Sequence, residues 1–98
     1  MPAEPIWLHP EAIREARAAR KWYEDLNVDA ADAFMAELDT AIERIEQGPR
    51  TWPPYLGGTR RYLLHRFPFS IVFRETPSRI EIVAVAHGRR RPGYWLGR

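Results

Sequence analysis

The 98-residue sequence contains no cysteine. Disulfide staples, thiolate metal ligands and thiol nucleophiles are therefore excluded, and a reducing cytoplasm is the expected compartment. Long apolar runs are missing as well. The first segment, Met1 to Leu8, is interrupted by Pro2, Glu4 and Pro5, so neither a signal peptide nor a membrane span is expected, and no membrane partner. Motifs that would announce a cofactor are also absent: there is no phosphate-cradling glycine loop, HExxH pair, GxSxG elbow or zinc-knuckle spacing. His65 has no second ligand at metal spacing, so no metal and no cofactor are expected. Internal repeats and low-complexity tracts are lacking too, and the length suits one domain over residues 1–98.

What the chain has in quantity is arginine, which accounts for fourteen of its fifteen basic residues. The net charge of +2 conceals an uneven distribution. From Pro10 to Gln47 ten acids face five bases, a net of −5, whereas the remainder sets ten arginines against Glu4, Glu75 and Glu81, a net of +7. Arginine suits bidentate contact with carboxylate or phosphate and stacking on flat rings, so the basic part should meet an anionic partner, nucleic acid or an acidic polypeptide.

Apolar periodicity gives the elements. Ile6 and Leu8 flank Trp7 in a brief strand that Pro5 confines to an edge or to its first position. Pro10 and Glu11 open a helix in which Ala12, Ile13, Ala16, Ala19, Trp22, Tyr23 and Leu26 form one stripe. After a break at residues 27–29, with Asp29 as the expected N-cap, Phe34, Leu38, Ala41, Ile42 and Ile45 repeat the spacing up to Gly48 and Pro49. These stripes are core in the first instance, although part could be left open for a partner helix. Residues 48–58 form a loop anchored by Trp52 and Tyr55. Three strands follow, over about 60–67, 69–75 and 79–87, with short connections that imply an antiparallel meander. The last, Ile80-Glu81-Ile82-Val83-Ala84-Val85-Ala86, is apolar on nearly every residue and reads as a central strand covered on both faces. The expected class is α+β, ordered β-α-α-β-β-β, with a helical hairpin on one face of a small antiparallel sheet.

Several stretches carry a resemblance at this point: Leu8-His9-Pro10-Glu11-Ala12, Trp22-Tyr23, Phe34 with Ala41-Ile42 and Ile45, Pro49, Arg60-Arg61-Tyr62, Phe67 to Arg74, and Ala86 to Trp95. In that order and spacing the chain resembles toxins of the RelE/ParE superfamily of bacterial toxin–antitoxin modules, and within it the ParE, or plasmid-stabilisation, branch. The ParE resemblance implies a toxin that inhibits DNA gyrase by binding and is neutralised by a small cognate antitoxin with an acidic C-terminal tail. The RelE branch would imply a ribosome-dependent mRNA endonuclease. Of its basic set Arg61 and Arg89 are matched, but Leu63 and Ser70 stand where further basic residues are expected, so that set is incomplete and an enzyme is not the favoured reading.

The candidate residues divide accordingly. Arg89, Arg90, Arg91, Tyr94 and Trp95 are the expected target-binding group, with anchoring of the chain end as the other reading of the two aromatics. Arg60, Arg61, Arg66 and Arg74 are the expected contacts with the antitoxin. In a ribonuclease the set would be Arg61, His87, Arg89 and Tyr94, and an acid–base pair of His87 with Glu81 would need both on one face of a regular last strand. His87 otherwise reads as a structural, hydrogen-bonded histidine.

Overall fold

The computed structural model describes residues 4–98; Pro2, one of the expected interruptions of the first segment, lies outside them. Strand β1 spans Ile6–Leu8, helix α1 Pro10–Leu26 and helix α2 Val28–Gln47. Strands β2, β3 and β4 are Arg60–Leu63, Phe69–Glu75 and Ile80–His87. No helix among the described residues is long and apolar enough to cross a membrane.

Helix α1 starts where proline permits. Pro10 occupies the first turn, and the His9 ring accepts the Glu11 N–H through Nδ1 at 3.1 Å, so a side chain satisfies one of the amides that no helical carbonyl can reach. The break before α2 is a single residue. Asn27, not Asp29, is the cap: its backbone is extended and its Oδ1 accepts the amides of Asp29 and Ala30 at 2.7 and 3.3 Å. Asparagine caps as well as aspartate does, and its earlier place lets Val28 begin the helix.

The sheet order is β1-β4-β3-β2. The meander β2-β3-β4 is antiparallel, as its short connections require, and β1 joins β4 in parallel, making the sheet mixed and β4 central. Strand β2 stops at Leu63, short of Phe67, because the Glu37 carboxylate of α2 accepts the backbone amides of His65 and Arg66 and draws the chain out of the ladder. Phe67 then turns inward to meet Tyr23 and Phe34, with ring centroids 4.9 and 5.4 Å apart.

Both faces of β4 are covered, by different means. On one face the helical hairpin buries Ala12, Ala16, Phe34, Leu38 and Ile45 against Ile71, Phe73, Ile80, Ile82 and Val85. On the other, Val72, Val83, Ala84 and Ala86 lie beneath Trp95, with Tyr55 and Tyr94 packed alongside. The chain after β4 thus folds back over the sheet. Two glycines make this possible: Gly57 and Gly93 adopt φ of 66° and 85°, and a Cβ on Gly57 would come within 2.5 Å of the Leu96 side chain.

The pairing of β3 with β4 shifts between Val72 and Phe73, whose partners are Ala84 and Ile82, so that Val83 is an extra residue. The bulge reverses the facing of everything beyond it. Glu81 pairs laterally with Arg74 and bonds to it beneath the returning tail, whereas His87 packs edge-on against Phe69 on the helical side, with centroids 5.0 Å apart. The two therefore do not share a face, and the acid–base pair that a regular strand would have offered is not formed.

Candidate functional site

Strand β4 delivers the chain to a turn that the sequence holds tightly. His87 Nδ1 accepts the Arg89 amide at 3.0 Å, and the His87 carbonyl accepts that of Arg90 at 2.9 Å. His87 is thus the hydrogen-bonded structural residue that fixes where the arginines begin.

Arg89, Arg90 and Arg91 are all exposed. The Arg90 guanidinium lies over the Tyr94 ring, 3.9 Å from its centroid, and Arg61 of β2 lies over Tyr55 at 4.2 Å. Stacking on a ring face orients a guanidinium while leaving its edge N–H groups free to donate. No ion pair among the described residues involves Arg61, Arg89, Arg90 or Arg91.

Arg61, Arg90 and Arg91 converge with Ser70, Tyr55 and Tyr94 on a cavity of about 90 Å³ between the tail and the sheet. His87 and Trp95 also border it. Arg89 diverges from this group and borders a second cavity of about 340 Å³, with Trp22, Tyr23, Pro68, Phe69 and His87. The ribonuclease set is therefore divided: Arg61 and Tyr94 border the first cavity, Arg89 borders the second on the helical side, and His87 borders both.

Three expected contact residues are occupied within the fold. Trp95 is 2% exposed and acts as the anchor of the tail, not as an outward contact. Arg74 donates to Glu81 at 2.8 Å and to the Arg98 carbonyl oxygen at 2.8 Å. Arg60 donates to the Trp52 carbonyl at 2.6 Å. Arg66 is exposed but lies beyond β2 on the α2 side, so Arg60, Arg61, Arg66 and Arg74 do not form one surface.

Two residues that the sequence reading passed over hold the turn from below. Glu15 of α1 accepts from the Tyr94 hydroxyl at 2.5 Å, from Arg98 at 2.9 and 3.1 Å, and from the Val85 amide at 3.0 Å. Arg98 also reaches the Val83 carbonyl at 3.1 Å. Strand β1 ends at Leu8, opposite Ile82, so these side chains satisfy backbone groups of β4 that have no strand beside them. The signal was available: Glu15 stands three residues after Ala12 and four before Ala19, a carboxylate on the buried stripe.

Two side chains on the tail face of the sheet have shifted proton affinities. Burial, reinforced by the Glu15 carboxylate, pushes the Tyr94 phenol well above the ordinary tyrosine value, so it remains a hydrogen-bond donor. The hydrogen bond from Arg74, with Arg79 adding to it, holds the Glu81 carboxyl below the usual glutamate range despite burial, leaving a weak base clasped by two guanidiniums. Among the described residues no group of three His, Cys, Asp or Glu side chains is placed to hold a metal ion.

Comparison with known proteins agrees with this architecture. A family model described as the ParE toxin of type II toxin–antitoxin systems, parDE, matches residues 6–92. The chain is 31% identical over 75 residues to Toxin ParE2 of Mycobacterium tuberculosis in two strains, an alignment covering 76% of this chain and 71% of the relative. It also superimposes on a solved structure titled the chromosomal ParDE TA system from P. aeruginosa, with a TM-score of 0.76 and 21% identity, covering 87% of this chain and 96% of that one. At that identity the superposition establishes the shared fold.

Proposed function

This chain belongs to the ParE toxin family of type II toxin–antitoxin systems, and from that premise we propose that it acts by occupancy: it binds and inhibits DNA gyrase in the cytoplasm, and a cognate antitoxin silences it. The observation that carries the reading is the turn after β4. Exposed Arg89 and Arg91, without an internal carboxylate partner among the described residues, project from the end of the central strand on a backbone pinned by His87. Cations fixed in place on a rigid element favour a macromolecular surface, since little ordering remains to be done on binding.

A groove between the two helices suits the antitoxin. Leu8, Ile13, Ala16, Met35, Leu38 and Ile42 line a groove of about 270 Å³ between the helices, and its charged lining is Arg17, Arg20 and Asp39, two bases to one acid. An amphipathic acidic segment would find apolar contact along the groove and guanidinium partners beside it.

The test uses pure toxin, gyrase and supercoiled plasmid. The expected result is inhibition of supercoiling, relieved by the antitoxin. Unchanged supercoiling together with specific cleavage of messages on ribosomes would overturn the proposal and establish the mRNA endonuclease reading in its place.

A further inference from the structure

We propose that the cavity bounded by Arg61, Ser70, Arg90 and Arg91 is a phosphate-binding site that takes a phosphodiester of a nucleic-acid strand. The inference goes beyond the gyrase reading and stands on the geometry of the cavity alone.

Its volume of about 90 Å³ is several times the roughly 10–15 Å³ that one water needs, and suits a single oxyanion head group. Three arginines border it, one from β2 and two from the turn after β4, and among the described residues no Asp or Glu does. Like charges gathered around so small a space repel one another, and an anion between them removes that cost. The wall is built, not incidental: Tyr55 and Tyr94 hold Arg61 and Arg90 by their ring faces, and buried Ser70 places a hydroxyl on the floor.

The arrangement favours phosphate over carboxylate. A carboxylate offers two oxygens in one plane, which a single arginine fork satisfies. Donors approaching from two separate segments, with a hydroxyl beneath, match oxygens dispersed about a tetrahedral centre. Arg89 adds a further cation from the same turn, at the neighbouring cavity on the helical side. Tyr94 donates its hydroxyl to Glu15, so its ring is held in place beside the cavity.

Fluorescence anisotropy with short labelled oligonucleotides, over a series of salt concentrations and without gyrase, tests this. Single-stranded DNA, single-stranded RNA and duplex DNA serve as separate probes to distinguish the source of the phosphodiester. Arg61→Ala and Arg91→Ala should each weaken binding about tenfold and lower the salt dependence by about one counterion. Ser70→Ala should weaken it a few-fold with no change in salt dependence, since no charge is removed. Arg14→Ala, which deletes the same charge from the exposed side of α1, should leave binding nearly unchanged. Inorganic phosphate should compete and polyglutamate should not. Arg91 forms no ion pair among the described residues, so its variant keeps the test decisive if Arg61→Ala unfolds. Absence of oligonucleotide binding, an equal loss in Arg14→Ala, or displacement by polyglutamate in preference to phosphate would overturn the proposal. Each of those results would leave gyrase inhibition to be decided by the plasmid assay.

Discussion

The two faces of the sheet are stabilised by different physics. The helical face is a continuous apolar core in which Tyr23, Phe34, Phe67 and Phe69 interlock, with several centroid separations near 5 Å. The tail face has one large buried side chain, Trp95, over small residues, and beside it a polar clasp of Glu15, Tyr94 and Arg98. Apolar burial spread over many residues is cooperative and tolerant in its details. A single ring supplemented by hydrogen bonds is local, so the cationic edge can be loosened without dissolving the fold. The surface that carries function is thereby placed on the more separable of the two layers.

That contrast is tested most severely by a pair of truncations. Phe34→Ala, which empties the centre of the helical core, should lower stability by about 3–5 kcal/mol in denaturant titrations. Trp95→Ala removes a larger side chain, yet should cost the molecule less globally and instead speed amide exchange selectively over residues 89–98. If Trp95→Ala proves as costly and raises exchange everywhere, the two faces form one cooperative unit. Ile82→Ala, on the strand between them, should cost about 2–5 kcal/mol, and a near-neutral result would mean that β4 is not the element joining the faces.

Next in size is the clasp. Glu15→Ala should cost about 2–4 kcal/mol, because it leaves Arg98, the Tyr94 hydroxyl and the Val85 amide without their acceptor at once. The two charged side chains are 15% and 16% exposed, so water replaces part of what is lost, and the upper end of the usual range for a buried pair is not expected. A double-mutant cycle with Arg98→Met separates the ion pair from the other two bonds. Coupling near zero would mean that the Glu15–Arg98 ion pair adds nothing to the hold on the tail.

The helical face was legible in the sequence because its signal is periodic. Both helices, the loop anchored by Trp52 and Tyr55, and the centrality of β4 follow from apolar spacing and punctuation by Pro and Gly. The tail face was not, for two reasons. A bulge is one extra residue and leaves no pattern in a run as uniformly apolar as Ile80 to Ala86, so the facing of Glu81 and His87 could not be read. The sites of the arginines depended on tertiary partners that spacing does not encode: Arg74 and Arg91 look alike in sequence, but one meets Glu81 and the other an open cavity. The Glu15 clasp was the nearest to a missed signal, a carboxylate on an apolar stripe whose partner lay 83 residues away.

A smaller effect should appear with pH. Glu81 is held below the ordinary glutamate range by Arg74 and Arg79, so its contribution is complete above its unfolded value and is lost as pH falls through the lower folded value. Glu81→Gln should therefore be destabilising at neutral pH, and the gap from the parent protein should close as the solution is acidified through and below the glutamate range. A gap that stays constant with pH would mean that the bonds to Arg74 and Arg79 do not depend on the carboxylate charge.

The smallest effect on stability is expected where the effect on function is greatest. Arg89→Ala with Arg91→Ala removes two exposed side chains that form no ion pair among the described residues, so the folded state should change by no more than about 0.5 kcal/mol. Neither side chain accepts the bond that holds the turn, which belongs to the Arg89 backbone amide and survives the substitution. Growth arrest on induction without antitoxin should nonetheless disappear. The Trp95→Ala variant makes the control, since it keeps both arginines and loosens the layer that presents them. If the double alanine variant remains fully toxic while Trp95→Ala is not, toxicity depends on the packing of the tail, and the two guanidiniums are only solvated charge.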